Sequence, residues 1–561
     1  MNKRSVSFRS FLKFVIVLLM TGGCGAQQTT NVPDTILIKG NVFTGTPEGP
    51  YVEAIALKGP RILAVGTSEQ ISSMAGPATK VIDLAGRLVI PGINDSHLHF
   101  QEDPIGIKVD FGSMEPTCSH ALELLQQAAA KVPRGTLLSG TIGPEAFFDP
   151  ACTAAALDRV APGDAVVLGT WTPHAGILNQ AAAKRFGIDT SAPPPMAGWY
   201  GKDLKSQHWD GVVHQGAWFR IFDMLMSEPS GQEARLRRLL EGDARWGITS
   251  VTLIEFHPAL RVAQLSAINS PLRVRLVPAL AYQEQSRRRK PEYPPVPAQL
   301  ADRVSVSGEK WLLDSGTIER SGAMRAPYAD DPTNSGQIDF PVEEMRAILG
   351  EAKRRNRQLL LHVIGDRTIE TLLTLMEETG GAKAWAKQRL RIEHGDGLMP
   401  DLIPRAERLG LIVVQNPMHF TFGELFLRRL GPERLAVFQP FRSLLDAGIP
   451  LVIASDGVTD TPLLNPYLNI MLATGYPGKP QQSLTLLQAL KAYTETAAYA
   501  EFAENSKGRL EPGKLADLAV LSQDIFHVPS ADLPKTESLL TIVGGRVAYA
   551  SGPFAHYRGV E

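Results

Sequence analysis

The sequence predicts an α/β protein: a (β/α)8 TIM-like barrel with a small composite β-sandwich domain from both chain ends and a long insertion after the first barrel strand. Three observations support this prediction. Eight short apolar runs recur with helical segments between them, β-rich stretches lie at both ends of the chain, and the gap after the first run is far too long for one helix. Strands that alternate with helices indicate parallel βαβ units, and eight such units close a barrel.

The predicted sandwich is built from the two ends of the chain. Residues 33–88 contain short runs of β-branched and apolar residues broken by Gly, Pro and Asn, and residues 507–561 repeat this pattern. Chain ends often lie close together in a folded domain. We therefore expect both stretches to meet in one small domain.

The predicted barrel occupies residues 89–506. Stretches such as 342–356 and 425–448 have the apolar periodicity of helices and lie between apolar runs. The long gap after the first run predicts an insertion over about residues 104–240 that lies over the barrel mouth. The eight runs are residues 88–93, 248–254, 273–280, 306–313, 358–364, 390–394, 411–415 and 450–456.

The first 24 residues have the pattern of an export signal. Four basic residues and no acidic residue precede a short apolar run that ends at Thr21-Gly22-Gly23-Cys24. The segment resembles the lipobox of bacterial lipoproteins, although Thr21 departs from the usual Leu. The resemblance implies a lipid on Cys24 that anchors the protein to the membrane of the bacterial cell envelope, with residues 25–32 as a tether. The alternative is a cleaved signal that leaves a soluble periplasmic or secreted protein.

The composition excludes several classes of protein. The 57 Lys and Arg residues balance the 58 Asp and Glu residues, whereas nucleic-acid binders usually carry a clustered basic excess, so no nucleic-acid partner is expected. Three cysteines exclude a disulfide scaffold and a Cys-rich metal site. Cys118 and Cys152 either pair in an exported protein or remain free buried thiols. The twelve histidines are enough for a metal centre.

Metal-ligand side chains lie at the ends of several predicted strands. Alternate residues of a strand point the same way, so the imidazoles of His97 and His99 can bind one ion. A polar residue at the end of an apolar strand is costly unless it is coordinated or hydrogen-bonded, and active sites form at that end of a barrel. The predicted metal ligands are His97, His99, His362, His394 and Asp456, and Lys310 lies on the fourth run.

The order H-x-H, Lys, His, His, Asp resembles the amidohydrolase superfamily, and more narrowly its third branch, which includes N-substituted formamide deformylases and similar exo-type amidases. Supporting motifs are P-G-I-N-D-S-H-L-H at 91–99, H-V-I-G-D-R at 362–367, R-I-E-H at 391–394 and A-S-D-G-V at 454–458. The resemblance covers nearly the whole chain after the tether. It implies a barrel enzyme in which a metal-activated water attacks a C–N or C–O carbon.

The resemblance also implies roles for single residues. The cofactor would be a divalent metal, Zn²⁺ or a similar ion, as one or two ions. Lys310 matches the place of a carboxylated lysine that bridges two metals, and the alternative is a barrel lysine paired with Asp314. Asp456 would bind the metal and act as the general acid/base, with His419 as its rival.

Three rim residues are predicted to bind substrate, with a structural role as the alternative for each. His174 and Asn179 belong to the motif T-P-H-A-G-I-L-N at 172–179, which resembles a family motif that closes over the substrate. His419 follows the seventh run. His257, which follows the second run, is not assigned a function.

The leading functional prediction is a metal-dependent amidohydrolase that cleaves a non-peptide carbon–nitrogen bond of a small molecule. The same site used on an ester or lactone, or for deamination, is one alternative, and a catalytically inactive envelope binding protein is another. Departures from the family pattern at Asp396, Ser315 and Gly457 mean that specificity cannot be copied from a relative. The oligomeric state stays open, with a homo-oligomer as one alternative.

Overall fold

The computed structural model describes residues 32–203, 206–226, 232–280, 290–458 and 461–559. The predicted signal segment and the tether up to residue 31 lie outside these ranges. The helices within them are all too short or too polar to cross a bilayer.

The central element is a ring of eight parallel strands, which confirms the predicted barrel. Each strand pairs with the next along the chain, and Gly457–Val458, just after the eighth strand, pairs with the first and closes the ring. The strands are β1 (Ile93–His99), β2 (Ile248–Glu255), β3 (Arg273–Leu280), β4 (Glu309–Leu312), β5 (Leu359–Val363), β6 (Arg391–His394), β7 (Ile412–Gln415) and β8 (Leu451–Ile453), with Val304–Val306 paired to the edge of β3.

Two predicted runs differ from the observed strands. The first run, 88–93, divides at Gly92, and its first part, Leu88–Pro91, joins the sheet made from the chain ends. A Cβ at Gly92 would lie 2.1 Å from Oγ1 of Thr249, so only glycine allows the chain to pass here. The last run was expected to end at Asp456, but β8 stops at Ile453 and Asp456 stands in the loop beyond it.

Helices cover the outside of the barrel. The stretch 425–448, predicted as helical, is interrupted at Gly431, whose φ of 75° and following Pro432 break the helix. The barrel helices are Gln232–Arg245 before β2, Pro258–Ala267, Val342–Arg355, Asp366–Thr379, Gly381–Gln388, Ile403–Arg408, Gly423–Val437 and Phe441–Asp446 between strands, and Pro466–Gly475, Leu486–Tyr493 and Glu495–Ala500 after β8.

Both chain ends form the predicted sandwich. One sheet has the order Arg61–Gly66, Ala54–Lys58, Thr35–Ile38, Lys80–Asp83, with the helix Ser68–Ser72 beside it. The other has the order Arg546–Ala550, Ser538–Val543, Leu518–Leu521, Leu88–Pro91, Asn41–Phe43, Tyr51–Val52. Side chains of both sheets, including Leu37, Ile55, Val89 and Val520, share one buried core. The sandwich therefore joins the start of the chain to its end.

The insertion after β1 has its own sheet and core. Cys118 and Cys152 are free thiols buried in that core, so they are not paired in a disulfide. The strands, in spatial order, are Gly198–Lys202, Trp209–Gln215, Ala175–Leu178, Ala165–Thr170, Leu137–Ile142 and Ile107–Lys108, and the helices are Cys118–Ala129, Pro144–Phe147, Ala154–Val160, Gln180–Arg185 and Gly216–Leu225.

The end of the predicted insertion belongs to the barrel layer instead. Oγ1 of Thr541, in the sandwich, donates a hydrogen bond to the carbonyl of Ala244 at 2.7 Å. The helix Gln232–Arg245 is thus held between β2 and the sandwich, and the insertion's own elements lie between Ile107 and Leu225.

Candidate metal centre

Three of the predicted ligands meet beyond the C-terminal end of β1. His97 and His99, two positions apart on β1, have their Nε2 atoms 3.3 Å apart. Oδ1 of Asp456 lies 3.4 Å from Nε2 of His97 and 3.3 Å from Nε2 of His99. The loop after β8 thus brings a carboxylate to the two imidazoles of the H-x-H pair.

His394 and His362 complete the group from β6 and β5. Ligand atoms of His97, His394 and Asp456 all lie within 4.8 Å of one another, and the His362 ring centroid is 4.5 Å from that of His394. Nε2 of His362 is buried and has no hydrogen-bond partner among the described residues. Burying such an atom is costly unless it binds something, so this donor set fits a divalent ion.

The backbone at two of these ligands has positive φ. His394 and Asp456 have φ values of 71° and 49°, in the left-handed region that few residues other than Gly adopt, although Asp and His do so more often than most. Non-glycine backbone of this kind persists where the surrounding structure holds it and clusters at functional sites. The N–H of Asp456 donates to the carbonyl of His97 at 2.9 Å, which fixes the Asp456 loop against β1.

The ligands have the protonation states that a metal requires. Burial lowers the pKa of His97 to about 4 and holds the pKa values of His362 and His394 well below the usual range, so these imidazoles are neutral. Although burial opposes ionisation of Asp456, its hydrogen bonds to His419 and His99 hold its pKa well below the usual range. Neutral imidazole and ionised carboxylate are the forms that coordinate metals.

Lys310, on β4, lines the same cavity and is only 2% exposed. Burial is the main cause that lowers its pKa to about 8. Asp314, the alternative partner, instead accepts hydrogen bonds from the backbone N–H groups of Ile364 and Gly365, both at 2.8 Å. The interpretation of Lys310 as a lysine paired with Asp314 is therefore wrong, and its carboxylation stays a prediction.

A buried charge network that the sequence analysis did not identify supports His97. Nδ1 of His97 donates to Oε2 of Glu393 at 2.5 Å, and Arg391 donates to both oxygens of Glu393, at 2.8 and 3.0 Å. Burial opposes ionisation of Glu393, but the charge of Arg391 and the hydrogen bond from His97 hold its pKa well below the usual range. This network fixes the His97 tautomer and leaves Nε2 for the metal. The sequence contains a sign of this network, because the charged residues Arg391 and Glu393 alternate on β6 and therefore point the same way beside His394.

We expect Glu393→Gln to weaken metal binding about 10–100-fold, the usual effect of losing an outer-shell partner of a ligating histidine. The amide keeps the shape of the carboxylate, but it lacks the negative charge that pairs with Arg391 and strengthens the hydrogen bond from His97. Competition with a chelator of known affinity measures the change. Glu343→Gln, on the surface of the helix Val342–Arg355, is the matched control; equal metal affinity in both variants would contradict the role of Glu393.

Asn416 and Asp396 position two further histidines. Asn416 donates from Nδ2 to the carbonyl of Ala454 at 3.1 Å and accepts at Oδ1 from Nδ1 of His394 at 2.8 Å. His419 lies between carboxylates: its Nδ1 is 3.3 Å from Asp396 and its Nε2 is 3.6 Å from Asp456. Burial lowers the pKa of His419, but these two carboxylates outweigh it and raise the pKa to about 10. The raised pKa of His419 favours Asp456 over His419 as the base.

Of the three residues predicted to bind substrate, the structure places two at the cavity and one away from it. His174 and His419 line the cavity, and Nδ1 of His174 is 2.8 Å from Oε1 of Gln215. Asn179 does not line it. It caps the helix Gln180–Arg185, accepting from the N–H groups of Ala182 and Val166 at 2.9 Å and donating to the carbonyl of Asp164 at 2.8 Å. Assigning Asn179 to substrate was wrong, because all these hydrogen bonds are structural.

The cavity over the metal centre has a volume of about 210 Å³ and mostly apolar walls. The insertion contributes Trp171, whose ring stacks on Phe422 of the barrel at a centroid distance of 4.9 Å. His257 also lines the cavity, in an ion pair with Asp223 at 2.7 Å. The other aromatic wall residues are Phe100, Phe219, Phe222, Phe256 and Phe426. The cavity suits a small, largely apolar ligand.

Comparison with known proteins agrees with this geometry. The model of the amidohydrolase family matches residues 80–549. The N-substituted formamide deformylase of Arthrobacter pascens is 26% identical over 560 residues, which cover 93% of this chain and 99% of the relative. Protein LONG AFTER FAR-RED 3 of Arabidopsis thaliana is 25% identical over 549 residues, which cover 92% of each chain.

Solved structures share the fold. The crystal structure of an uncharacterized metal-dependent hydrolase from Pyrococcus horikoshii matches with a TM-score of 0.65 at 20% sequence identity. The match covers 89% of this chain and 99% of that one. The likeness extends to nearly the whole of the other protein, so barrel and sandwich occur there together.

Proposed function

Because the chain belongs to the amidohydrolase family, we propose that it hydrolyses a non-peptide carbon–nitrogen bond of amide type in a small molecule. The observation that carries this proposal is the cluster of His97, His394 and Asp456 at the cavity over β1. A divalent ion held there would polarise the substrate carbonyl and lower the pKa of a water.

Metal binding, proton transfer and substrate binding fall to different residues of the chain. His97, His99, His362 and His394 bind as neutral imidazoles, and Asp456 takes the proton of the attacking water and returns it to the leaving nitrogen. His419, which lines the cavity 3.6 Å from Asp456, holds the substrate. The apolar walls exclude bulk water, which strengthens each of these electrostatic interactions.

Two alternatives use the same cavity differently. Ester, lactone or deamination chemistry needs the same water activation, and a binding protein needs no chemistry at all. Each metal-ligand residue that the family pattern requires is present, so a binding protein without activity is disfavoured.

The test is metal analysis of the purified protein together with a panel of amides, esters, lactones and amino-heterocycles of matched size. We expect a bound divalent ion and turnover of amides, abolished by a chelator and restored by adding the metal back. Faster turnover of esters or lactones would replace the proposal with the first alternative. Bound metal with no turnover in any class would support the binding protein.

We propose Zn²⁺ as the ion and a carboxylated Lys310 as a bridge between two ions. The support is the position of Lys310, which is buried and lines the same cavity as the histidine ligands. Metal counting tests it: two ions per chain in the wild type should fall to one in Lys310→Met. One ion in both proteins would argue for a single-metal site.

We also propose that Cys24 is the acylated N-terminus and that it holds the enzyme at the envelope membrane. The support is the basic, apolar and small-residue pattern that ends at Cys24. Mass spectrometry of the N-terminal peptide should show a lipid-modified cysteine, and Cys24→Ser should release the protein from the membrane fraction. An unmodified N-terminus at another residue would reject the anchor.

A further inference from the structure

One carboxylate in the cavity wall is not used by the proposed reaction. Glu319 lies in the loop after β4, lines the cavity and is only 4% exposed. Its Oε1 accepts a hydrogen bond from the hydroxyl of Thr172, in the insertion. Its Oε2 is buried and has no hydrogen-bond partner among the described residues. The wall thus contains a carboxylate oxygen with unused acceptor capacity.

The other carboxylates that line the cavity differ from Glu319, because each has a basic side chain beside it. Glu102 and Glu255 bind the buried Arg261. Asp223 pairs with His257 at 2.7 Å, and Asp396 with His419 at 3.3 Å, while Asp456 belongs to the metal centre. Glu319 alone among the described lining carboxylates has no ion pair, and its partners, the hydroxyl of Thr172 and its own backbone N–H, are neutral.

Arg429 is the nearest cationic influence on Glu319, but its hydrogen bonds go elsewhere. Its guanidinium donates to Asp330 and, at 3.0 Å, to the carbonyl of Ile318. It favours the ionised form of Glu319 through space, whereas burial is the larger effect and raises the pKa to about 6. At neutral pH a mostly ionised carboxylate therefore lies in the cavity wall without a direct cationic partner.

We propose that Glu319 is a specificity-determining residue that binds a protonated amino group of the substrate, at a point apart from the scissile amide. This inference rests on the proposed function. Ammonium is the ligand chemistry that completes this site, because it supplies both the missing positive charge and the N–H donors for Oε2. The substrate class is a small amide with an apolar body and a distal amine.

The remaining lining residues agree with this selection. Lys310, at the metal centre, is the only Lys or Arg that lines the cavity among the described residues. A carboxylate or phosphate on the distal part of a substrate would meet the negative charge of Glu319, which no described Lys or Arg of the cavity lining offsets. The aromatic side chains Trp171, Phe219 and Phe422 offer the apolar surface for the body of the molecule. Acidic substrates are thus disfavoured at the same wall.

Calorimetric titration of the metal-loaded protein at neutral pH tests the proposal without relying on turnover. The probes are benzylammonium and benzyl methyl ether, which share the ring but differ in charge and in N–H donors. We expect the wild type to bind benzylammonium at least about tenfold more tightly, as one charge-assisted hydrogen bond allows. Glu319→Gln keeps the shape of the side chain but removes its charge. In this variant the preference should disappear, so that both probes bind with about equal affinity.

Two further variants make the result specific. Asp223→Asn removes a lining carboxylate that already has a partner, so it should keep the ammonium preference of the wild type. Glu319→Asp shortens the side chain and should reduce the preference, which keeps the test usable if Glu319→Gln folds poorly by circular dichroism. A preference as large as that of the wild type in either Glu319 variant, or one that Asp223→Asn abolishes, would overturn the assignment. Because binding is measured directly, a protein that failed to hydrolyse amides could still pass or fail this test.

Discussion

Replacing Asp456 with Asn is expected to lower kcat by about 10²–10⁴, the usual contribution of general acid–base catalysis, while the protein stays folded. Asn keeps the size of the side chain and an oxygen for the metal, but it cannot accept the proton. In the wild type, Oδ1 of Asp456 lies 3.3 Å from His99 and Oδ2 lies 3.6 Å from His419. Steady-state kinetics on metal-replete protein, with bound metal quantified in each preparation, measures the loss.

His419 provides the comparison for this experiment. Asp396 and Asp456 flank it and raise its pKa, which favours a role in holding the substrate over a role in accepting the first proton. We expect His419→Asn mainly to raise KM. If metal-replete Asp456→Asn were nearly as active as the wild type while His419→Asn lost most of its kcat, the two roles would have to be exchanged.

The double variant His97→Ala, His99→Ala is expected to lose bound metal and to retain only background activity. Both imidazoles come from β1 and their Nε2 atoms are 3.3 Å apart, so their removal takes one side of the ligand set away. Glu393 would also lose its hydrogen bond to His97 and remain buried beside Arg391. Metal content by mass spectrometry and amide hydrolysis are the two measurements.

A matched control removes two histidines outside the cavity. His120 and His527 are exposed, so the variant His120→Ala, His527→Ala should keep full metal and activity. Full metal and activity in the His97/His99 variant would show that the ion is held elsewhere and would falsify the ligand assignment.

The barrel and its ligands could be predicted from sequence because both follow from local patterns. A buried strand is a short apolar run, and a His or Asp at its end is conspicuous there. Asp456 shows the limit of this reasoning, since it lies in a loop with positive φ that no strand pattern describes.

The residues that were missed or misassigned depend on contacts between distant segments. The sequence alone does not distinguish Glu393 from other polar residues, because its partner His97 lies on a different strand, β1. Asn179 belongs to a motif that suggested substrate binding, yet an Asn before a helix is also a capping residue, and the structure decides for the cap. The Glu319 environment requires the fold, because its hydrogen-bond partner Thr172 comes from the insertion.

The antiparallel pairing of Leu88–Pro91 with Leu518–Leu521 has a consequence for how the molecule folds. These strands are separated by nearly the entire barrel, so this part of the sandwich forms only after the last segment of the chain has been synthesised. Contacts of such high sequence separation slow folding. Until then, the apolar edge of Leu88–Pro91 is open to pairing with other chains. Removing the C-terminal strands should therefore cause aggregation, even though every metal ligand remains.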